Sequence, residues 1–252
     1  MPEEYQAAQV AGQLAPTSQL RILQVARPPG LDFVPGQFTK LGLPQDGEAK
    51  PLARAYSFVN PPAAATLEFC YDVLAEGGNL TPRLAELAAG DEVLVSMRPN
   101  GLLTLANVPE ALSLFMIATG TGIGPFVSIL QAGEEVWSRY EKIALVYSAR
   151  LRQDLLYDDQ LAEIAALRRK QFAYVPIVTR ERVEGVANER VTAMIASGEL
   201  ERLTKTALDA SCQFMLCGNP AMVQEVCALL QAKGLERNRR ARPGNVTIEK
   251  YW

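Results

Sequence analysis

Histidine is absent from all 252 residues. Its absence excludes Ser-His-Asp catalysis, histidine-ligated metals and imidazole general bases. Any chemistry must then use a carboxylate, a thiol, an amine or a bound cofactor. Cysteine is scarce: Cys70, Cys212, Cys217 and Cys227 are the only four, and none stands in CxxC spacing. Neither a zinc nor an iron–sulfur site is indicated, so no metal is expected. No run of eighteen apolar residues occurs, so no membrane span is expected. The opening residues Met1-Pro2-Glu3-Glu4-Tyr5 lack the basic and apolar regions of a signal peptide. A cytoplasmic protein whose cysteines stay thiols is the expectation, and the sequon Asn79-Leu80-Thr81 then has no glycan to carry. Surplus positive charge is missing too: the net charge of −3 argues against a general nucleic-acid binder.

What is present is a soluble globular composition, 48% hydrophobic and 21% charged, on a chain long enough for one large or two ordinary domains. Two halves differ in periodicity. In the first, short β-prone runs at 20–26, 37–41, 56–59, 66–73 and 92–97 are separated by Gly, Pro and Asp clusters. One helix interrupts them at 83–89, with Thr81 as N-cap, Pro82 in its first turn and Gly90 closing it. Residues 1–105 are read as a Greek-key antiparallel β-barrel with a capping helix. The second half, 106–252, alternates apolar strands (111–118, 142–148, 172–178, 213–217) with helical patterns at 125–140, 154–170, 190–196 and 220–233. That alternation predicts an α/β domain with a parallel sheet. A last strand spans 245–252. Nothing in the sequence calls for more than a monomer.

Five stretches carry candidate chemistry. Arg54-Ala55-Tyr56-Ser57 places an arginine and a tyrosine two apart, on one face of an extended strand. The guanidinium suits a phosphate and the ring suits a planar heterocycle; a surface arginine beside a half-buried tyrosine is the plainer reading. Thr119-Gly120-Thr121-Gly122-Ile123-Gly124-Pro125 follows the first apolar strand of the second half, where glycines let backbone amides approach phosphate oxygens. Gly77-Gly78-Asn79-Leu80-Thr81 is either a second such cradle or a hairpin loop ending in a cap. Cys217 ends a strand at the edge where ligands of open α/β sheets bind, although a buried inert thiol is the plainer reading. Arg150, Arg180 and Arg190 fall after successive strands or at a helix start, and as a set they suit an anionic ligand.

Taken in order, these motifs resemble the bacterial ferredoxin–NADP reductases of the plant-type flavin reductase superfamily. The likeness runs from Pro35-Gly36-Gln37-Phe38-Thr39-Lys40-Leu41-Gly42-Leu43 through Arg-Ala-Tyr-Ser, residues 78–84, 119–125 and 216–222 to the terminal Glu249-Lys250-Tyr251-Trp252. The resemblance implies an FAD-binding barrel followed by an NADP-binding domain whose last residues return to the flavin. It implies an enzyme passing hydride between NADPH and FAD and single electrons to or from ferredoxin or flavodoxin. By position, Arg54, Ala55, Tyr56, Ser57, Tyr71, Val73, Gly78, Asn79, Leu80, Thr81, Thr121, Tyr251 and Trp252 would hold FAD. Arg150, Arg180 and Arg190 would hold the NADP 2′-phosphate. Ser57, Cys217, Glu249 and Tyr251 would surround the reacting rings. The segment from Cys70 to Gly77 is slightly longer than the family pattern. The basic run Arg237, Arg239, Arg240 and Arg242 could steer an acidic partner or simply be a solvated helix end.

Overall fold

The computed structural model describes residues 5–74 and 78–250. The chain divides into two compact units, one of residues through Gly101 together with Gly124–Ala132, the other of Leu102–Ile123 and the residues from Gly133 onward.

In the first unit six antiparallel strands lie in the order β4-β3-β6-β1-β2-β5. They are β1 (Tyr5–Leu14), β2 (Leu20–Ala26), β3 (Phe38–Leu43), β4 (Leu52–Ser57), β5 (Thr66–Asp72) and β6 (Glu92–Ser96). The two edges of that order approach each other where Val59 N donates to Glu68 O at 3.0 Å, so the sheet is a nearly closed Greek-key barrel. Alternate inward residues fill it, including Leu23, Val25, Leu41, Leu67, Phe69, Val93 and Val95. Phe33 stacks on Phe58 with ring centroids 3.8 Å apart. Helix α1 (Thr81–Ala85) contributes Leu84, with Leu80 just ahead of it, to the same core and so plugs the barrel. Thr81 is the first helical residue rather than the cap, which is Leu80. Its hydroxyl is spent elsewhere: Oγ1 accepts from Leu74 N at 3.0 Å and closes the loop before the helix. Strand β1 went unread in the sequence, because Gln-Ala-Ala-Gln-Val-Ala-Gly-Gln has little of the β-branched and aromatic content that marks strands. Helix α2 (Gly124–Gln131) also belongs to this unit. Its Ser128 hydroxyl donates to Asn60 O at 3.0 Å.

The second unit is a parallel five-stranded sheet in the order β11-β10-β7-β8-β9. Its strands are β7 (Ser113–Thr119), β8 (Lys142–Ala149), β9 (Phe172–Val178), β10 (Cys212–Gly218) and β11 (Val246–Lys250). Numbered within the unit this is 5-4-1-2-3, the doubly wound order that reverses direction beside its first strand. Helices α5 (Val191–Ser197), α6 (Glu199–Thr204) and α7 (Pro220–Ala232) cover the face carrying Phe115, Val146, Phe214 and Leu216. On the opposite face, Trp137 of α3 (Glu135–Arg139) meets the Phe172 ring edge-on at 5.6 Å. Helix α4 (Asp158–Leu167) buries Leu161. Burial on both faces is why β7 and β10 read as continuous apolar runs. The helical pattern at 125–140 breaks into α2 and α3 because Gly133 takes φ +103° between them. Helix α6 was not anticipated.

Leu84 is fully buried in the barrel plug. Leu84→Ala is expected to lower unfolding free energy by about 2–5 kcal/mol, the cost of an unfilled core site, as read by urea denaturation.

Candidate functional site

In the second unit the sheet reverses between β7 and β10, and open α/β sheets bind ligands at such a point. The turn after β7 is a tight helical turn, Gly120–Ile123, with Gly120 at φ +54°. Gly122 lies directly against the end of β10: a Cβ there would sit 2.6 Å from the Cys217 carbonyl oxygen. Gly218 is as constrained, at φ +132° and with the Thr119 backbone oxygen 2.7 Å from any added Cβ. Two hydrogen bonds lock the arrangement. Asn219 N donates to Thr119 Oγ1 at 2.8 Å, and the Asn219 side chain caps α7 by accepting from Ala221 N at 2.8 Å. Thr119 was not singled out in the sequence. Its only signal was a hydroxyl immediately before the glycine turn. Thr121 lies half-buried inside that turn.

Strand register brings Ala118, Cys217 and Glu249 into one row across β7, β10 and β11. Cys217 is fully buried. Glu249 accepts a hydrogen bond from the Leu102 backbone, but among the described residues its Oε2 is buried without a partner. Burial pushes its carboxyl up to about 7. The thiol and carboxylate named from the sequence are thus neighbours. At the other side of the sheet, Arg150 and Arg180 follow β8 and β9, and Arg180 N donates to Arg150 O at 2.9 Å. Arg190 precedes α5 at its N-cap. All three side chains are exposed.

In the first unit Arg54, Ala55, Tyr56 and Ser57 lie on β4, with Arg54 opposite Leu41 and Tyr56 opposite Thr39. Arg54 is exposed, whereas Tyr56 is buried with its ring edge-on to Tyr71 at 5.7 Å. Burial raises both phenol pKa values above the ordinary range. Ser57 is buried where α2 begins: a Cβ on Gly124 would come within 3.7 Å of Ser57 Cβ and 3.5 Å of Cys70 Sγ. Val73 is half-buried just past β5. Gly78 has no room for a side chain, since a Cβ would meet Leu74 O at 2.6 Å. Asn79 is exposed, and Leu80 and Thr81 lead into α1. Tyr251 and Trp252 lie outside the described residues, as does Gly77.

Among the described residues no group of three or more Cys, Asp or Glu side chains could hold a metal, and no helix is long and apolar enough to cross a membrane. Arg237, Arg239, Arg240 and Arg242 are exposed but do not end a helix. They follow α7 in a tight hairpin closed by reciprocal backbone bonds between Arg239 and Arg242, at 3.0 and 2.9 Å.

Residues 116–228 match the oxidoreductase NAD-binding domain family. A flavodoxin/ferredoxin–NADP reductase of Shigella flexneri is 42% identical over 226 residues, covering 89% of this chain and 90% of the relative. The chain belongs to the ferredoxin–NADP reductase family. Ferredoxin–NADP reductase A of Sorangium cellulosum is 37% identical, over 93% of this chain and 85% of its own. Among solved structures, a ferredoxin NADP+ reductase from Neisseria gonorrhoeae with bound FAD and NADP superposes with a TM-score of 0.90. It shares 29% identity and covers 98% of this chain and 99% of its own.

Two outcomes follow for the family member. Gly122→Ala is expected to lower stability by about 1–3 kcal/mol, because the new methyl must displace backbone at the end of β10; urea denaturation reads this. For Glu249, the folded carboxyl titrates at about 7 against 4.5 when unperturbed. Below about pH 4.5 both folded and unfolded chains carry it protonated, and stability is lost as pH rises through 7. Glu249→Gln should therefore gain on the wild type in thermal unfolding between those two pH values, with the gap constant above.

Proposed function

We propose that this chain catalyses reversible hydride transfer between NADPH and FAD, coupled to single-electron exchange with ferredoxin or flavodoxin. The observation that carries the proposal is the 42% identity to a flavodoxin/ferredoxin–NADP reductase along nearly the whole of both chains. The residues present fit both cofactors. Gly78 and Gly122 stand where a side chain would collide with backbone, leaving main chain open to phosphate oxygens. Among the described residues the Glu249 Oε2 is buried without a partner, which supports a polar group held for a ligand.

In this reading the FAD domain spans 1–105 and the NADP domain 106–252. Arg54 pairs with the FAD pyrophosphate, together with residues 78–81, and Tyr56 offers its ring to the isoalloxazine. Ala55, Tyr71, Val73 and Thr121 complete the flavin surroundings. Tyr251 covers the other ring face and Trp252 the adenine. Arg150, Arg180 and Arg190 bind the 2′-phosphate of NADP, for which guanidinium forks are suited. FAD, when bound, supplies the exchange between two-electron and one-electron transfer. The chain's own groups orient and exclude water. Ser57, buried beside α2, presents its hydroxyl at the flavin. Cys217 forms an apolar wall for the nicotinamide, and Glu249, near its titration point at neutral pH, holds or releases a proton there. Tyr251 must yield its place to the nicotinamide, which puts a conformational step into turnover. The exposed arginine hairpin at 239–242 supports an acidic redox partner in an otherwise acidic chain. The same reading places the protein in the cytoplasm as a monomer, without nucleic acid.

Stopped-flow reduction by NADPH and NADH, followed by reoxidation with ferredoxin and flavodoxin, tests these assignments together. A yellow protein reduced faster by NADPH is expected, with Arg180→Ala raising KM for NADPH about tenfold and leaving that for NADH unchanged. A colourless preparation, or equal use of both nucleotides by wild type, would overturn the corresponding assignment.

A further inference from the structure

Gln13 faces inward where an apolar residue would normally stand. Strand β1 pairs with β2 as Val10 opposite Val25, then slips by one residue, so that Gly12 meets Gln24, Gln13 meets Leu23 and Leu14 meets Ile22. This is a β-bulge, and it reverses the alternation of the strand. Without it Leu14 would share the inward face of Val10. With it Gln13 shares a row with fully buried Leu23, and Leu14 is left 58% exposed. Turning an amide in and a leucine out opposes burial energetics unless the amide is well bonded.

It is bonded on both sides. Gln13 Nε2 donates to the carbonyls of Leu84, Ala85 and Leu87 at 3.3, 3.2 and 2.9 Å. They lie at the end of α1 and in the turn after it, and Leu84 O also accepts from Leu87 N at 3.2 Å. Gln13 Oε1 accepts from the Tyr71 hydroxyl at 2.5 Å. The amide cannot be reversed, since its oxygen would then face three carbonyls. Tyr71 in turn is 2% exposed and meets the Tyr56 ring edge-on, at an interplanar angle of 67°.

We propose that Gln13 is a positioning residue for the flavin site: anchored on the carbonyl end of α1, it holds the Tyr71 hydroxyl and through that ring sets the tilt of Tyr56. The proposal rests on the assignment of Tyr56 to FAD made above. A ring held only by packing could rotate to suit its neighbours. A bond at the hydroxyl fixes where the far end of the ring lies, and because a phenol O–H favours the ring plane it also biases the ring's tilt, so the Tyr56 face is favoured in one orientation before a ligand arrives.

The test uses the full-length holoenzyme with Gln13→Leu, Tyr71→Phe and the double variant. Tyr71→Phe keeps the ring and removes only the tether, so it remains informative if Gln13→Leu folds poorly. Each single variant is expected to shift the visible absorption and circular dichroism of bound flavin. Each should also weaken FAD binding by about three- to tenfold, the worth of one hydrogen bond. The double variant should be no worse than the poorer single, because amide and hydroxyl act as one device. Unchanged flavin spectra and affinity with only a lowered Tm would overturn the positioning role and leave a mere structural brace. Additive losses would overturn the tether. A wild-type chain that takes up no flavin would instead overturn the cofactor assignment itself, and the flavin role of Gln13 with it.

Discussion

The second unit is organised by one contact: the backbone of Gly122 against the backbone of Cys217. A side chain at either Gly122 or Gly218 would force the ends of β7 and β10 apart. Because they close, Thr119 can take the Asn219 amide, and Asn219 can then cap α7. The start of that helix, the glycine turn and the row of Cys217 and Glu249 therefore share one geometric origin. The turn lacks the third glycine of the common dinucleotide fingerprint, since Pro125 stands there. The close backbone contact is nonetheless made three residues earlier, at Gly122.

The barrel reaches order by a different route. Its candidate ligand strand carries no comparable backbone contact at Tyr56. Ring orientation there comes from side chains: an edge-on pair of tyrosines, a phenol tethered to an amide, and that amide bound to a helix end. In the proposed function the two units thus prepare for planar and phosphate groups by different means. One withholds side chains so that main chain is exposed, and the other ties aromatic rings in place. Gly78 applies the first method once within the barrel, where only a residue without Cβ passes Leu74.

Much of this was legible in the sequence, for identifiable reasons. Strand β7, buried on both faces, reads as an apolar run, and the limits of Leu20–Ala26 and Phe172–Val178 emerge unchanged. Strand β1 was invisible because its pairing depends on neighbours distant in sequence, and its bulge breaks the alternation that would have marked it. A helical pattern across 125–140 hid a chain break that only the backbone of Gly133 reveals. In the site, the glycine turns and the arginine–tyrosine strand were readable as local patterns. The pairing of Cys217 with Glu249 was not, because it needs the register of two strands separated by α7. Gln13 had no local signature whatever, since a glutamine in a polar stretch carries meaning only through what it touches.

Glu249 shows what such pairings cost. A carboxylate drawn out of water loses hydration that one backbone donor replaces only in part. A glutamine would fill a similar volume without charge, and a leucine would fit the apolar side of Cys217 better. Stability alone therefore argues against a glutamate at this position. Burial places the carboxyl at about 7, where neutral solution can supply or remove its proton, in keeping with the role proposed for it above. The costly feature of the sheet edge is thus a group able to exchange a proton near neutral pH.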